Sequence, residues 1–187
     1  MNKWKRGLMI GLAVATVVSG VTFAALQTQP NKLNGSVIQT AGVGLQISLD
    51  GNIYSYNQPG MIFNNLVPGG SAQPQNGYNF YLKNTGNAPL AIKFAVSSAP
   101  SNPDGVDLSK VNVLLNYGNG PAQSFTLAAL IDANTTGGLT VNSPAAINPG
   151  STAPFTMQVS MASDAVTGSS ASLGNIDFAF TGLAVPQ

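Results

Sequence analysis

From Val43 onward, the dominant period of the apolar residues in this 187-residue chain is two. Val43, Leu45, Ile47 and Leu49 alternate with Gly44, Gln46, Ser48 and Asp50. Tyr78, Phe80 and Leu82 alternate with Asn79, Tyr81 and Lys83, and Leu90, Ile92, Phe94 and Val96 with Ala91, Lys93, Ala95 and Ser97. Val111, Val113, Leu115 and Tyr117 share one parity, as do Phe155, Met157, Val159 and Met161; Ile176, Phe178 and Phe180 close the series. A period of two turns one face of an extended strand toward a core and the other toward water. Several short runs of this kind, separated by turn residues, predict an all-β domain, an antiparallel sandwich or barrel.

The punctuation between the runs is specific. In "YLKNTGNAPLAIKF", residues 81–94, the hexapeptide "NTGNAP" reads as a connection between two antiparallel strands. Gly86 is expected there at a positive φ, and Pro89, which cannot donate to a ladder, marks the start of the next strand. "LVPGGS" (residues 66–71) and "INPGST" (147–152) both place Pro-Gly ahead of a strand-like run. Pro presets φ at the second turn position and Gly accepts a positive φ at the third, so each pair should form a turn that launches the strand after it. "SFTLAALIDAN" (124–134) fits helix and strand templates about equally and reads as a short helix capped by Ser124. Residues 97–109 and 116–123, rich in Pro, Gly, Asn and Ser, read as surface loops. No linker divides residues 37–187, which are expected to be one domain.

The N-terminus has a different character. Lys3, Lys5 and Arg6 precede an uncharged apolar run over residues 7–26, followed by polar "QTQPNK". This is the order of a secretory signal. Thr22 and Ala24 put small residues at the two subsites that a signal peptidase reads, so cleavage is expected between Ala24 and Ala25. Residues 1–24 are then the signal, an apolar helix, and residues 25–36 an extended tail. The protein is expected to be secreted, extracellular, and in contact with membrane only during secretion. An uncleaved anchor is one alternative, because about 20 apolar residues span a bilayer. Another is a class III (type IV pilin) signal cut after Gly7, with the apolar helix retained as a filament core. The acidic residue that bacterial pilins carry near the start of that helix is absent here.

Composition narrows the chemistry. Charged residues are 7% of the chain, against about 25% in ordinary soluble domains. Without the signal, four Lys face six Asp, a charge near −2, which leaves no basic patch for nucleic acid. There is no His, no Cys and no Glu. Ser/His and Cys/His nucleophile pairs, thiolate metal sites and disulfides are therefore excluded, and neither enzymatic activity nor a cofactor is expected. Asp104 and Asp107 in "NPDGVDLS" present two carboxylates that a hard cation accepts, although Asp-Gly is more often a plain turn. Asn34 and Asn134 begin Asn-x-Ser/Thr patterns, acceptors for glycosylation in a secreted chain.

Several stretches together resemble one family. "VTFA" at the end of the apolar run, "GVGLQISLDG", "NLVPGGS", "YNFYLKNTGNAPLAIKF", "INPGSTAPFTMQVSM" and "NIDFAFTGL" are similar to blocks of the TasA/camelysin family of secreted biofilm-matrix fibre proteins. The low charge and the Asn/Thr richness look more like its archaeal bundling pili than like its lysine-rich bacterial members. The resemblance touches residues 36–183. It implies a single jelly-roll-like antiparallel β-sandwich behind a cleavable signal helix. It also implies a head-to-tail homopolymer joined by donor-strand complementation, with lateral bundling between filaments. The metallopeptidase activity described for the camelysin branch does not carry over, because no His or Glu is present to support it.

A donor strand needs a free extended segment, and the tail "ALQTQPNKLNGSVI" (25–38) is the one available. Leu26, Thr28, Pro30 and Leu33 are its candidate contact residues. Leu26, Leu33 and Val37 do not share one face, and Pro30 interrupts pairing. Two other readings stand beside the fibre: the pilin-like subunit, and an adhesive or carbohydrate-binding sandwich with Tyr54 and Tyr56 as stacking aromatics.

Overall fold

The computed structural model describes residues 31–32, 43–61, 63, 66–102, 105–165 and 175–185. Among these residues the chain forms β1 (Asn31–Lys32), β2 (Leu45–Ser48), β3 (Gln73–Asn84), β4 (Leu90–Ser98), β5 (Val111–Tyr117), β6 (Gln123–Thr126), α1 (Leu127–Asp132), β7 (Leu139–Val141), β8 (Thr152–Met161) and β9 (Asp177–Ala184). Every strand pair is antiparallel. One sheet has the order β1-β9-β4-β7 and the other β2-β3-β8-β5-β6. The all-β expectation holds.

The two sheets share one core, and the period-two residues fill it. Phe80 and Phe155 from the five-stranded sheet and Phe94 and Phe180 from the four-stranded sheet are fully buried. The Phe80 and Phe180 ring centroids lie 5.1 Å apart across the interface, Phe94 and Phe180 4.7 Å apart, and Phe80 and Phe155 5.4 Å apart. These contacts join the sheets through a continuous aromatic column, the geometry in which ring pairs add to plain area burial. Leu45, Ile47, Leu82, Leu90, Ile92, Val96, Val111, Val113, Leu115, Met157 and Val159 surround it, all buried.

Both Pro-Gly pairs form the expected turn. The Gly70 N–H donates to Val67 O and the Ser151 N–H to Asn148 O, with Gly69 at φ 72° and Gly150 at φ 74°. The "NTGNAP" segment differs from expectation. It carries the chain from β3 in one sheet to β4 in the other and is not a hairpin. Gly86 is also not among the residues at positive φ. The reason is Asn84, which is 0% exposed. Its Oδ1 accepts from the Gly86 N–H (2.8 Å), while its Nδ2 donates to Ala88 O (2.7 Å) and Ile147 O (2.8 Å). An Asx turn thus bends the chain without left-handed backbone. The Asn84 N–H and C=O bond Ser151 and Gly150, so the corner is locked onto the "INPGST" turn.

The ambiguous segment is both of its templates in succession. Residues 123–126 are β6, and the helix begins only after Thr126, whose Oγ1 accepts from the Ala129 N–H at 3.2 Å. Thr126, not Ser124, is the cap; Ser124 is still in the ladder, opposite Leu114. Strand β7 was not legible in the sequence, being three residues long.

These turns yield a first expectation. Gly150→Val should cost about 1–2 kcal/mol from left-handed backbone alone, since a Cβ there meets nothing within 4 Å. Gly86→Val should cost clearly less. Urea midpoints of the two variants measure the difference, and an equal or reversed ranking contradicts this account of the corner.

Candidate functional site

Sheet edges expose rows of unpaired backbone groups, a template on which a two-sheet domain can join another chain. The four edges are β2, β6, β7 and β1. Two of them, β2 and β7, carry further local hydrogen bonds. Along β2, Ile47 and Ser55 exchange backbone hydrogen bonds of 2.8 and 3.0 Å. Gln58 Nε2 adds bonds to Ile47 O (3.1 Å) and Ser55 Oγ (3.0 Å). Asp50 shapes that return: its Oδ1 accepts from the N–H groups of Ile53 (2.9 Å) and Asn52 (2.8 Å) and from the Ser48 hydroxyl (2.8 Å). These bonds, that from Ile53 foremost, hold the Asp50 carboxyl down to about 2. Strands β6 and β7 are tied to each other by Gln123. Its Nε2 donates to Thr140 O and its Oε1 accepts from the Asn142 N–H, both at 2.8 Å.

The fourth edge is different. Strand β9 has eight residues, and the strand beside it has two. Asn31 pairs opposite Phe180 and Lys32 opposite Ala179. The strand on this edge therefore comes from the tail in which the donor was sought. The tail's own domain already uses Asn31 and Lys32 as a strand. All four predicted donor contacts, Leu26, Thr28, Pro30 and Leu33, lie outside the described residues, as do the cleavage positions Thr22, Ala24 and Ala25, and Asn34. Nothing in the sequence marked β9 as the partner, because its edge position depends on strand order.

The remaining candidates are placed as follows. Asn134 is exposed on the 3-10 turn Ala133–Thr136, and its side chain makes no hydrogen bond among the described residues. Tyr54 is engaged within the domain: Lys83 Nζ sits 5.2 Å from its ring centroid, and its hydroxyl lies 3.5 Å from Thr152 Oγ1. Tyr56 and Ile53, 38% and 72% exposed, stand on the same loop. Asp107 caps the 3-10 turn Leu108–Lys110, accepting from the Ser109 hydroxyl (2.6 Å) and N–H (3.0 Å), which lower its pKa. Asp104 lies outside the described residues. Lys110 is ion-paired with Asp164, which raises the lysine and lowers the carboxyl. No three His, Cys, Asp or Glu side chains converge among the described residues.

Comparison with known proteins returned no family model, no curated protein and no solved structure matching the chain.

The electrostatics give a pH expectation. The shifted carboxyls of Asp50, Asp107 and Asp164 lie below the ordinary carboxyl value of 3.8. Folded values below unfolded ones stabilise above the unfolded pKa, and that contribution is lost as pH falls through the folded values. His and Cys, the side chains that titrate between about pH 5 and 8, are absent. The urea midpoint should therefore be flat between about pH 5 and 7 and fall below about pH 4. A slope across the neutral range would contradict this.

Proposed function

We propose that the chain is the structural subunit of an extracellular filament or biofilm-matrix fibre, a head-to-tail homopolymer joined by donor-strand complementation between jelly-roll subunits. The observation that carries the reading is the pairing of Asn31–Lys32 with β9. It supports a tail that is competent as a strand, and an eight-residue β9 edge that accepts it. A swapped tail would make the same backbone bonds to a neighbour's β9, with affinity from the ladder and register from the alternating side chains.

The strand orders support the jelly roll. With β2 set aside as an added edge strand, β1-β9-β4-β7 and β3-β8-β5-β6 follow the double Greek key of an eight-stranded jelly roll. In that scheme β1 is the first strand and is shortened to two residues. The low charge favours close stacking of copies and lateral bundling. The absence of His, Cys and Glu leaves a hydrolase without its usual groups. Asn134, exposed on the turn Ala133–Thr136, is an acceptor for a glycan in a secreted chain.

Two measurements test the reading. The N-terminal residue of the cell-surface form should be Ala25; Leu8 would favour the pilin-like filament and Met1 an anchored protein. Removal of residues 25–34 from the mature chain should leave a protein that forms no fibres by electron microscopy. Normal fibres from the truncated chain would rule out the N-terminal donor.

A further inference from the structure

We infer that the free subunit is self-complemented: its own tail occupies the β9 edge that a neighbour's tail takes in the fibre, and release of that tail gates elongation. The inference rests on the fibre reading and adds the resting state and its control.

Three observations carry it. First, Asn31 and Lys32 are in register with Phe180 and Ala179 of the same chain. Those two positions of the edge are thus occupied within a single copy, and an incoming tail that pairs there must displace a strand already in place. Second, two register positions hold β1, against seven along β5 and β8. Short ladders at chain ends open at the low-stability end of native fluctuations, without unfolding the domain. Third, the edge lies directly over the core. Phe180, opposite Asn31, is 0% exposed and contacts Phe80 and Phe94. An empty β9 edge would uncover backbone beside the aromatic column, so closure protects the monomer before assembly.

The exchange breaks and remakes the same pairs. The tail's high local concentration favours the closed monomer when the protein is dilute, and mass action favours the chain of swapped subunits when it is concentrated. Elongation should then be limited by tail release.

The chain has no cysteine, which permits a clean test. Directly opposed residues of an antiparallel pair lie about 4.5–5.5 Å apart at Cα, within disulfide range. Lys32→Cys together with Ala179→Cys therefore introduces one disulfide across the β1–β9 contact. Oxidation of dilute monomer should give an intramolecular bridge and no covalent dimer. The bridged protein should lose elongation, and reduction should restore it. Oxidation after assembly should instead give a ladder of covalent multimers on a non-reducing gel. A dilute monomer that forms no intramolecular bridge, or a bridged monomer that elongates like the reduced one, overturns self-complementation and leaves the fibre reading standing. Unsubstituted protein that never elongates overturns the fibre reading and the gating with it. On the unsubstituted monomer, at least one amide proton of Asn31 and Lys32 should exchange with solvent more slowly than in an unstructured peptide. Peptide-like rates at both positions would overturn the closed state without recourse to any variant.

Discussion

Phe180→Ala is expected to destabilise the domain by about 3–5 kcal/mol, the range for truncating a buried aromatic in a core that relaxes only in part. Phe180 is 0% exposed and lies at the centre of the aromatic column, against Phe94 in its own sheet and Phe80 in the facing one. Its loss removes area burial and two ring contacts together, one of them an inter-sheet contact. The thermal midpoint should drop by roughly 10 °C or more in a domain of this size. Ile53→Ala, at a side chain 72% exposed, should change stability by less than about 0.5 kcal/mol. Urea unfolding of both variants decides the matter. A Phe180→Ala cost near that of Ile53→Ala would mean the sheets are not joined through this column.

Asn84→Ala should cost about 3 kcal/mol, although it removes few atoms. The buried amide satisfies the Gly86 N–H and the carbonyls of Ala88 and Ile147. Its loss leaves the Gly86 N–H and the Ala88 carbonyl without a partner, while Ile147 O keeps the Leu90 N–H, and an unsatisfied buried group costs about 1–3 kcal/mol. Asn84→Asp is the sharper probe. It keeps the acceptor for Gly86 but sets a carboxylate oxygen against two carbonyls. Burial and those carbonyls disfavour the charged form, so the folded pKa of the introduced carboxyl rises above the unfolded one. The folded state then binds more protons between the two values, and stability falls as pH rises through that window. The Asn84→Asp variant should therefore be less destabilised at about pH 4 than at about pH 7. Equal destabilisation at both would show that the amide donors are not what the corner requires.

The faces of the long strands were legible because burial on one side imposes alternation on the residues themselves. Phe80 and Leu82, Ile92 and Phe94, Phe155 and Met157 fall on the core side as their parity demands. The two Pro-Gly turns were legible for a local reason as well: Pro-Gly nearly determines the four backbone angles it occupies. Gly86 and Ser124 were misread because their signals were local and the deciding partners were not. Gly86 serves an Asx turn whose Asn84 also holds Ile147, and Ser124 is kept in β6 by its ladder with β5. Nothing local identified the β9 edge.

Alternation, turn chemistry and the missing His, Cys and Glu are properties of single residues and near neighbours. By itself the sequence therefore determined an all-β chain of half-buried strands, two of its turns, and a composition without His, Cys or Glu. Which strands lie side by side was decided only in the tertiary structure. Asn31 meets Phe180, Ser55 meets Ile47, and "NTGNAP" crosses between sheets and docks on a turn whose Ile147 lies 63 residues beyond Asn84. The physical reason is that backbone hydrogen bonds are the same for every residue except proline, so a strand's pattern states which side is buried and not which strand stands beside it. That choice falls to the packing of two sheets around one core, and it leaves the short first strand on the edge of β9.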